Sequence, residues 1–178
     1  MNAIQHVRVK VFASRAVSID AAIPVFHRWI QDRVCPEMLI DVADYRHVPD
    51  GPGVMLIGHE ASYSLDNTKG RLGLLYSRRL EGGGAQENLR QAYDAALAAC
   101  RRLEKESEFA GTLEFGSECE FSINDRLLAP NRDETYAALT PEFERFFTAV
   151  WGEGGYAMAR KGEPRELFCI GVQTRSAG

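Results

Sequence analysis

From Val7 to Ala13 the chain alternates strictly, with Val7, Val9 and Val11 on one side and Arg8 and Lys10 on the other. A period of two predicts a half-buried strand, with His6, Arg8 and Lys10 on its solvent face. The period then changes. Ala22, Ile23, Phe26 and Ile30 recur at helical spacing, bordered by Trp29. They predict a helix over about 20–34, ended by Cys35-Pro36 because proline disfavours helical backbone in the residue before it. Two apolar runs, 38–48 and 54–63, flank Pro49-Asp50-Gly51-Pro52-Gly53 and predict two strands joined by a tight turn. A third strand, 71–79, follows the turn-like segment 66–70. Leu89, Tyr93, Ala96, Cys100 and Leu103 then form a continuous apolar stripe, predicting a helix over about 85–106.

The C-terminal third is more broken. Residues 111–124 predict a hairpin turning at Gly116-Ser117, whose Glu114, Glu118 and Glu120 point outward as a charged edge. Asn131 and Glu134 suggest a loose capping box and a short helix over about 132–139. Thr140-Pro141 signals the start of another helix, since proline suits the first helical position. Its face carries Phe143, Phe146, Phe147, Val150 and Trp151, as core packing or as a protein-contact surface. A final hairpin pairs 156–160 with 166–172, and a loose tail follows at about 174–178. The resulting order, β-α-β-β-β-α-β-β-α-α-β-β, lacks βαβα alternation. It predicts a single α+β domain over 1–178, with a mainly antiparallel sheet packed against helices. The first part has a ferredoxin-like element order with extra hairpins.

Composition narrows the function classes. A chain of 178 residues can bury a core without disulfides or metals. The net charge of −4 argues against non-specific nucleic-acid binding, which depends on Lys and Arg neutralising phosphates. No apolar run approaches the ~20 residues of a membrane span. The N-terminal segment lacks the apolar stretch of a secretory signal, so the expected location is cytoplasmic. Cys35, Cys100, Cys119 and Cys169 show no C-x-x-C spacing, and no cofactor or metal is expected from them. The glycines at 82–84 precede a helix but match neither dinucleotide nor P-loop spacing.

The densest set of chemically capable side chains lies in 38–63. If Val48 closes the hairpin opposite Val54, Asp41, Tyr45, His47, His59 and Tyr63 share one face, with His59 diagonal to Asp41. An aspartate-oriented histidine can move a proton, and Asp41 and His59 are the catalytic candidates. Tyr45, His47 and Tyr63 are the ligand-binding candidates. Everything depends on register, because a slip of one residue separates the pair. Without a catalytic motif, the expected function is a non-catalytic module that binds a small molecule or a protein partner. The alternatives are a self-associating structural subunit, forming a homo-oligomer through its edge strands, and a small enzyme using Asp41 and His59.

Overall fold

The computed structural model describes residues 4–79 and 81–175. Its eleven regular elements in chain order, apart from one 3-10 turn at Thr68–Gly70, are β1 (Val7–Ala13), α1 (Ala22–Asp32), β2 (Leu39–Tyr45), β3 (Gly53–Gly58), β4 (Ala61–Asp66), β5 (Gly73–Arg78), α2 (Ala85–Lys105), β6 (Phe115–Ile123), α3 (Asp133–Trp151), β7 (Tyr156–Lys161) and β8 (Phe168–Thr174). The strands form one eight-stranded sheet in the order β2-β3-β4-β5-β1-β6-β8-β7, with every neighbouring pair antiparallel.

The α+β class and the antiparallel sheet agree with the sequence expectation, but the sheet is larger than a ferredoxin-like unit with additions. Between β1 and β2, the strands joined through α1, lie three others. Split β-α-β crossovers occur instead at β5-α2-β6, around β1, and at β6-α3-β7, around β8.

Three local expectations are corrected. The run 54–63 is two strands, broken by a turn at His59-Glu60. The hairpin at Gly116-Ser117 does not form; β6 continues through it with a shift of register against β1, and from Cys119 to Ile123 it pairs with β1 on one side and β8 on the other. Pairing on both sides outweighs the local turn preference, and the supposed charged edge is interior. The helices on either side of Pro141 are one helix, α3. Proline removes one backbone donor there, and the buried Phe143, Phe146 and Phe147 anchor the helix beyond it. In the expected tail, Thr174 ends β8 and the Arg175 N–H donates to Gly155 O at 2.9 Å; residues 176–178 lie outside the described residues.

Alternation along the strands gives the sheet two unlike faces. Leu56, Tyr63, Tyr76, Val9, Phe121 and Ile170 stand opposite one another in register across β3, β4, β5, β1, β6 and β8. All six are buried with Phe26, Trp29, Leu89 and Phe146 of the helices in one core. Among the described residues the helices pack on this face. The helical stripe of α2 sits over β1 and β5, and its Leu89, Ala96 and Leu103 are fully buried. Among the described residues no helix backs the opposite face, yet Ser64, Asp66 and Lys10 there are buried as well.

Candidate functional site

The residues expected at a site in 38–63 are not brought together. Asp41 stands opposite Ile57, and its Oδ1 accepts from the Val42 N–H at 2.8 Å. His59 lies in the exposed turn between β3 and β4, where its N–H donates to Met38 O at 2.9 Å. The two-residue turn also changes the parity of β4 relative to β3. Asp41 and Tyr45 point to the face without helices, whereas Tyr63, opposite Leu56, points into the helix-covered core. Tyr45 is on the edge strand β2, and His47 is exposed in the β2–β3 loop.

Tyr63 belongs to a different network. Its hydroxyl donates to both Glu37 oxygens, at 3.0 and 2.9 Å, and Tyr76 donates to Glu37 at 3.3 Å while accepting from Gln91 at 2.7 Å. A cleft of about 450 Å³ beside it is lined by Trp29, Cys35 and Arg102 among others. Burial pushes the Tyr63 phenol far above its ordinary value and the Cys35 thiol up to about 11. The tyrosine hydroxyls here are therefore neutral and already hydrogen-bonded.

The helix-free face offers a different arrangement. One row across the sheet reads Ser77, Arg8, Ser122, Cys169, Lys161, and the next reads Leu75, Lys10, Glu120, Gly171. All of these residues but Ser77 and Gly171 line a trough of about 360 Å³, and the rows form its floor. The sheet curls around it. In a flat sheet β4 and β8 would lie four strand spacings apart, at least about 19 Å. Yet Lys69, just after β4, donates to Glu166, just before β8, at 2.5 Å. Both residues line the trough and span it.

Charges inside the trough are paired unevenly. Lys10 Nζ donates to Asp66 Oδ1 at 2.5 Å, with both side chains nearly shielded from solvent. Asp66 is completed by Thr68, whose N–H and hydroxyl donate at 3.1 and 2.9 Å. At the rim, Arg71 pairs with Glu118 and stacks 3.9 Å from the centre of the Phe12 ring. Arg8, Lys161 and Glu120 lie outside these pairs. Arg8 Nε is buried, with no hydrogen-bond partner among the described residues. Desolvation lowers the basicity of its guanidinium, against the raising influence of Asp66 and Cys169. Burial also pushes the Cys169 thiol up to about 12, so it is protonated at neutral pH.

Two glycines shape the floor. A Cβ on Gly73 would lie 3.0 and 3.1 Å from the Lys10 stem, and one on Gly171 would lie 2.6 Å from Lys161 Cε. Lys10 therefore crosses over β5 to reach Asp66, and Lys161 crosses over β8 towards β6. The sequence carried this signal: a glycine inside a strand pattern marks a close approach. Comparison with known protein families finds none whose model matches the chain, and no curated protein matches it significantly. Among the described residues, no helix is long and apolar enough to cross a membrane, and no group of three or more His, Cys, Asp or Glu is arranged to hold a metal ion.

Proposed function

We propose that the protein is a small-molecule-binding module whose ligand occupies the trough on the helix-free face. The observation that carries this reading is Arg8, an arginine on the trough floor with a buried, unpartnered Nε. Buried polar groups almost always have a partner, so the orphaned Nε marks a guanidinium on the trough floor whose hydrogen-bonding capacity is not met from within the described residues. The volume, about 360 Å³, falls within the range of small-molecule sites. Leu75 and Leu167 add apolar wall to the charged floor, the usual mixture at such sites.

Binding is favoured over catalysis by the same geometry. None of the four histidines lines the trough. Its one thiol, Cys169, is held protonated, and the thiolate is the reactive form. Asp66, the most buried carboxylate, is fixed by Lys10 and Thr68.

A thermal-shift screen of polar metabolites tests this reading. A ligand of the trough raises the unfolding temperature of the wild type and does so less in Lys161→Gln. A stabilising compound whose effect survives Lys161→Gln but disappears in Cys35→Ala would move the site to the helix-side cleft and overturn the proposal.

A further inference from the structure

We infer that the ligand presents a compact, doubly charged anion of the phosphate-monoester kind to Arg8 and Lys161, and a hydroxyl-bearing body to Glu120. This rests on the trough being a binding site and names the chemistry that fills it.

The charges of the trough leave a remainder. Lys10, Lys69 and Arg71 each have a carboxylate partner: Asp66, Glu166 and Glu118. Among the described residues Arg8 and Lys161 remain as two cations with no carboxylate at ion-pair distance, and Glu120 as one carboxylate without a cation at that distance. A ligand that complements this remainder brings two negative charges in one place and a hydrogen-bond donor in another. A second anionic group would meet Glu120 and be repelled, which disfavours polyanions.

The donors also differ in shape. Arg8 stands in direct register with Ser122, a hydroxyl residue that also lines the trough. Ser122 in turn stands opposite Cys169, and Cys169 opposite Lys161. Arginine supplies a planar fork, lysine a mobile point charge, and serine a rotatable donor. Donors of these three kinds, arriving from different strands of a curled sheet, suit a tetrahedral group with three free oxygens. A planar carboxylate carries a single charge and would satisfy the arginine fork alone. The path of Lys161 over β8 favours the same ligand. Because Gly171 has no side chain, the Lys161 stem lies across it, directed inward from the edge strand towards Glu120 and Ser122. A lysine with only a solvating role would not need that gap.

Calorimetric titration of the full chain with glycerol 3-phosphate, inorganic phosphate, succinate and spermidine tests the inference. Glycerol 3-phosphate should bind, and bind more weakly at pH 5.5 than at pH 8, because the second ionisation of a phosphate ester lies near pH ~6. Lys161→Gln should weaken it about tenfold, the loss expected of one charge-assisted contact. Arg8→Gln should weaken it at least as much. Because the Arg8 Nε is buried and its variant can fail to fold, Gly171→Ala serves as the second probe. Its new methyl displaces the Lys161 stem, so it should weaken binding while leaving thermal unfolding near the wild type. Glu120→Gln should weaken glycerol 3-phosphate more than inorganic phosphate, which has no hydroxyl-bearing body.

Succinate binding as tightly as glycerol 3-phosphate, with the same dependence on Lys161, would overturn the phosphate assignment and leave the trough as a binding site. Spermidine binding that depends on Glu120 would overturn the polarity of the ligand with the same consequence. Glycerol 3-phosphate binding that ignores Lys161→Gln and Gly171→Ala, or no binding by any of the four probes, would overturn the phosphate inference and count against the trough reading as well.

Discussion

Lys10 Nζ donates to Asp66 Oδ1 at 2.5 Å across the intervening strand β5, on the trough floor and almost out of contact with solvent. Taking two such charges out of water is costly, and their mutual attraction with added hydrogen bonds offsets that cost only while both are present. Lys10→Met leaves Asp66 with Thr68 alone, and it should destabilise the fold by about 3–5 kcal/mol. The double variant Lys10→Met/Asp66→Leu removes both charges and should be more stable than Lys10→Met. Urea denaturation of both variants measures this. A double variant less stable than Lys10→Met would show that the pair is not the buried unit described.

The two glycines on the floor should respond differently to the same substitution. A Cβ on Gly73 would lie 2.6 Å from Val11 O, a backbone atom in the adjoining strand, in addition to the Lys10 stem. That strand cannot move without disturbing the sheet centre, so Gly73→Ala should cost about 1–3 kcal/mol, as overpacking does. At Gly171 the nearest atoms all belong to the flexible Lys161 side chain, and Gly171→Ala should leave stability close to the wild type. Parallel thermal unfolding of the two variants checks the contrast; equal losses would contradict it.

Much of the fold was legible along the chain, and the site was not. The valines of β1 and the stripe of α2 announce their elements because each apolar pattern is local and faces the core. The turn at His59-Glu60 carries neither proline nor an Asn-Gly pair, so 54–63 reads as one strand. That omission placed Tyr63 on the same face as Asp41, and the assumed closure was also off: Asp44, not Val48, stands opposite Val54, so Asp41 faces Ile57 rather than position 61. Gly116-Ser117 and Pro141 failed in the opposite sense: strong local signals were overridden by strand pairing and by aromatic packing. Arg8 and Lys10 read as solvent-facing because alternation reports only that one face is polar. Whether that face is open depends on the curl that brings Lys69 to Glu166, residues 97 positions apart. Gly73 and Gly171 were the local hints, each a glycine within a strand of otherwise larger residues.

Asn131 sets the position of the hairpin that closes one end of the trough. It is completely buried, its Nδ2 donates to Lys161 O at 2.9 Å and Glu163 O at 3.1 Å, and its Oδ1 accepts from Arg160 at 3.2 Å. Asn131→Ala leaves those carbonyls without their donor, at a cost of about 1–3 kcal/mol. It should also loosen residues 161–166, which carry Lys161 and Glu166. Hydrogen exchange is the measurement: faster exchange of the Glu163 and Glu166 amides, with β1 amides still protected, is the expected pattern. Uniformly faster exchange across the sheet would assign Asn131 a global role instead.

Alkaline pH should destabilise the protein before it reaches its tyrosines' ordinary range. Desolvation holds the Cys119 and Cys169 thiols at about 12, against about 9 for an exposed thiol, and raises Cys100 in the same direction. The folded chain therefore keeps protons that the unfolded chain has released. The stabilisation is complete below about pH 9 and is lost as pH rises towards about 12. Over that window each such thiol subtracts up to about 1.4 kcal/mol per pH unit. Buried Tyr76, also raised to about 12, adds to the slope above pH 10. Denaturation midpoints measured from pH 7 to pH 11 should be flat at first and then fall steadily from about pH 9. At pH 8, thiol labelling of Cys100, Cys119 and Cys169 should be slow in the folded protein and rapid once it is unfolded in urea. Prompt labelling of Cys169 in the native state would mean that its thiol is neither desolvated nor held protonated at the trough floor.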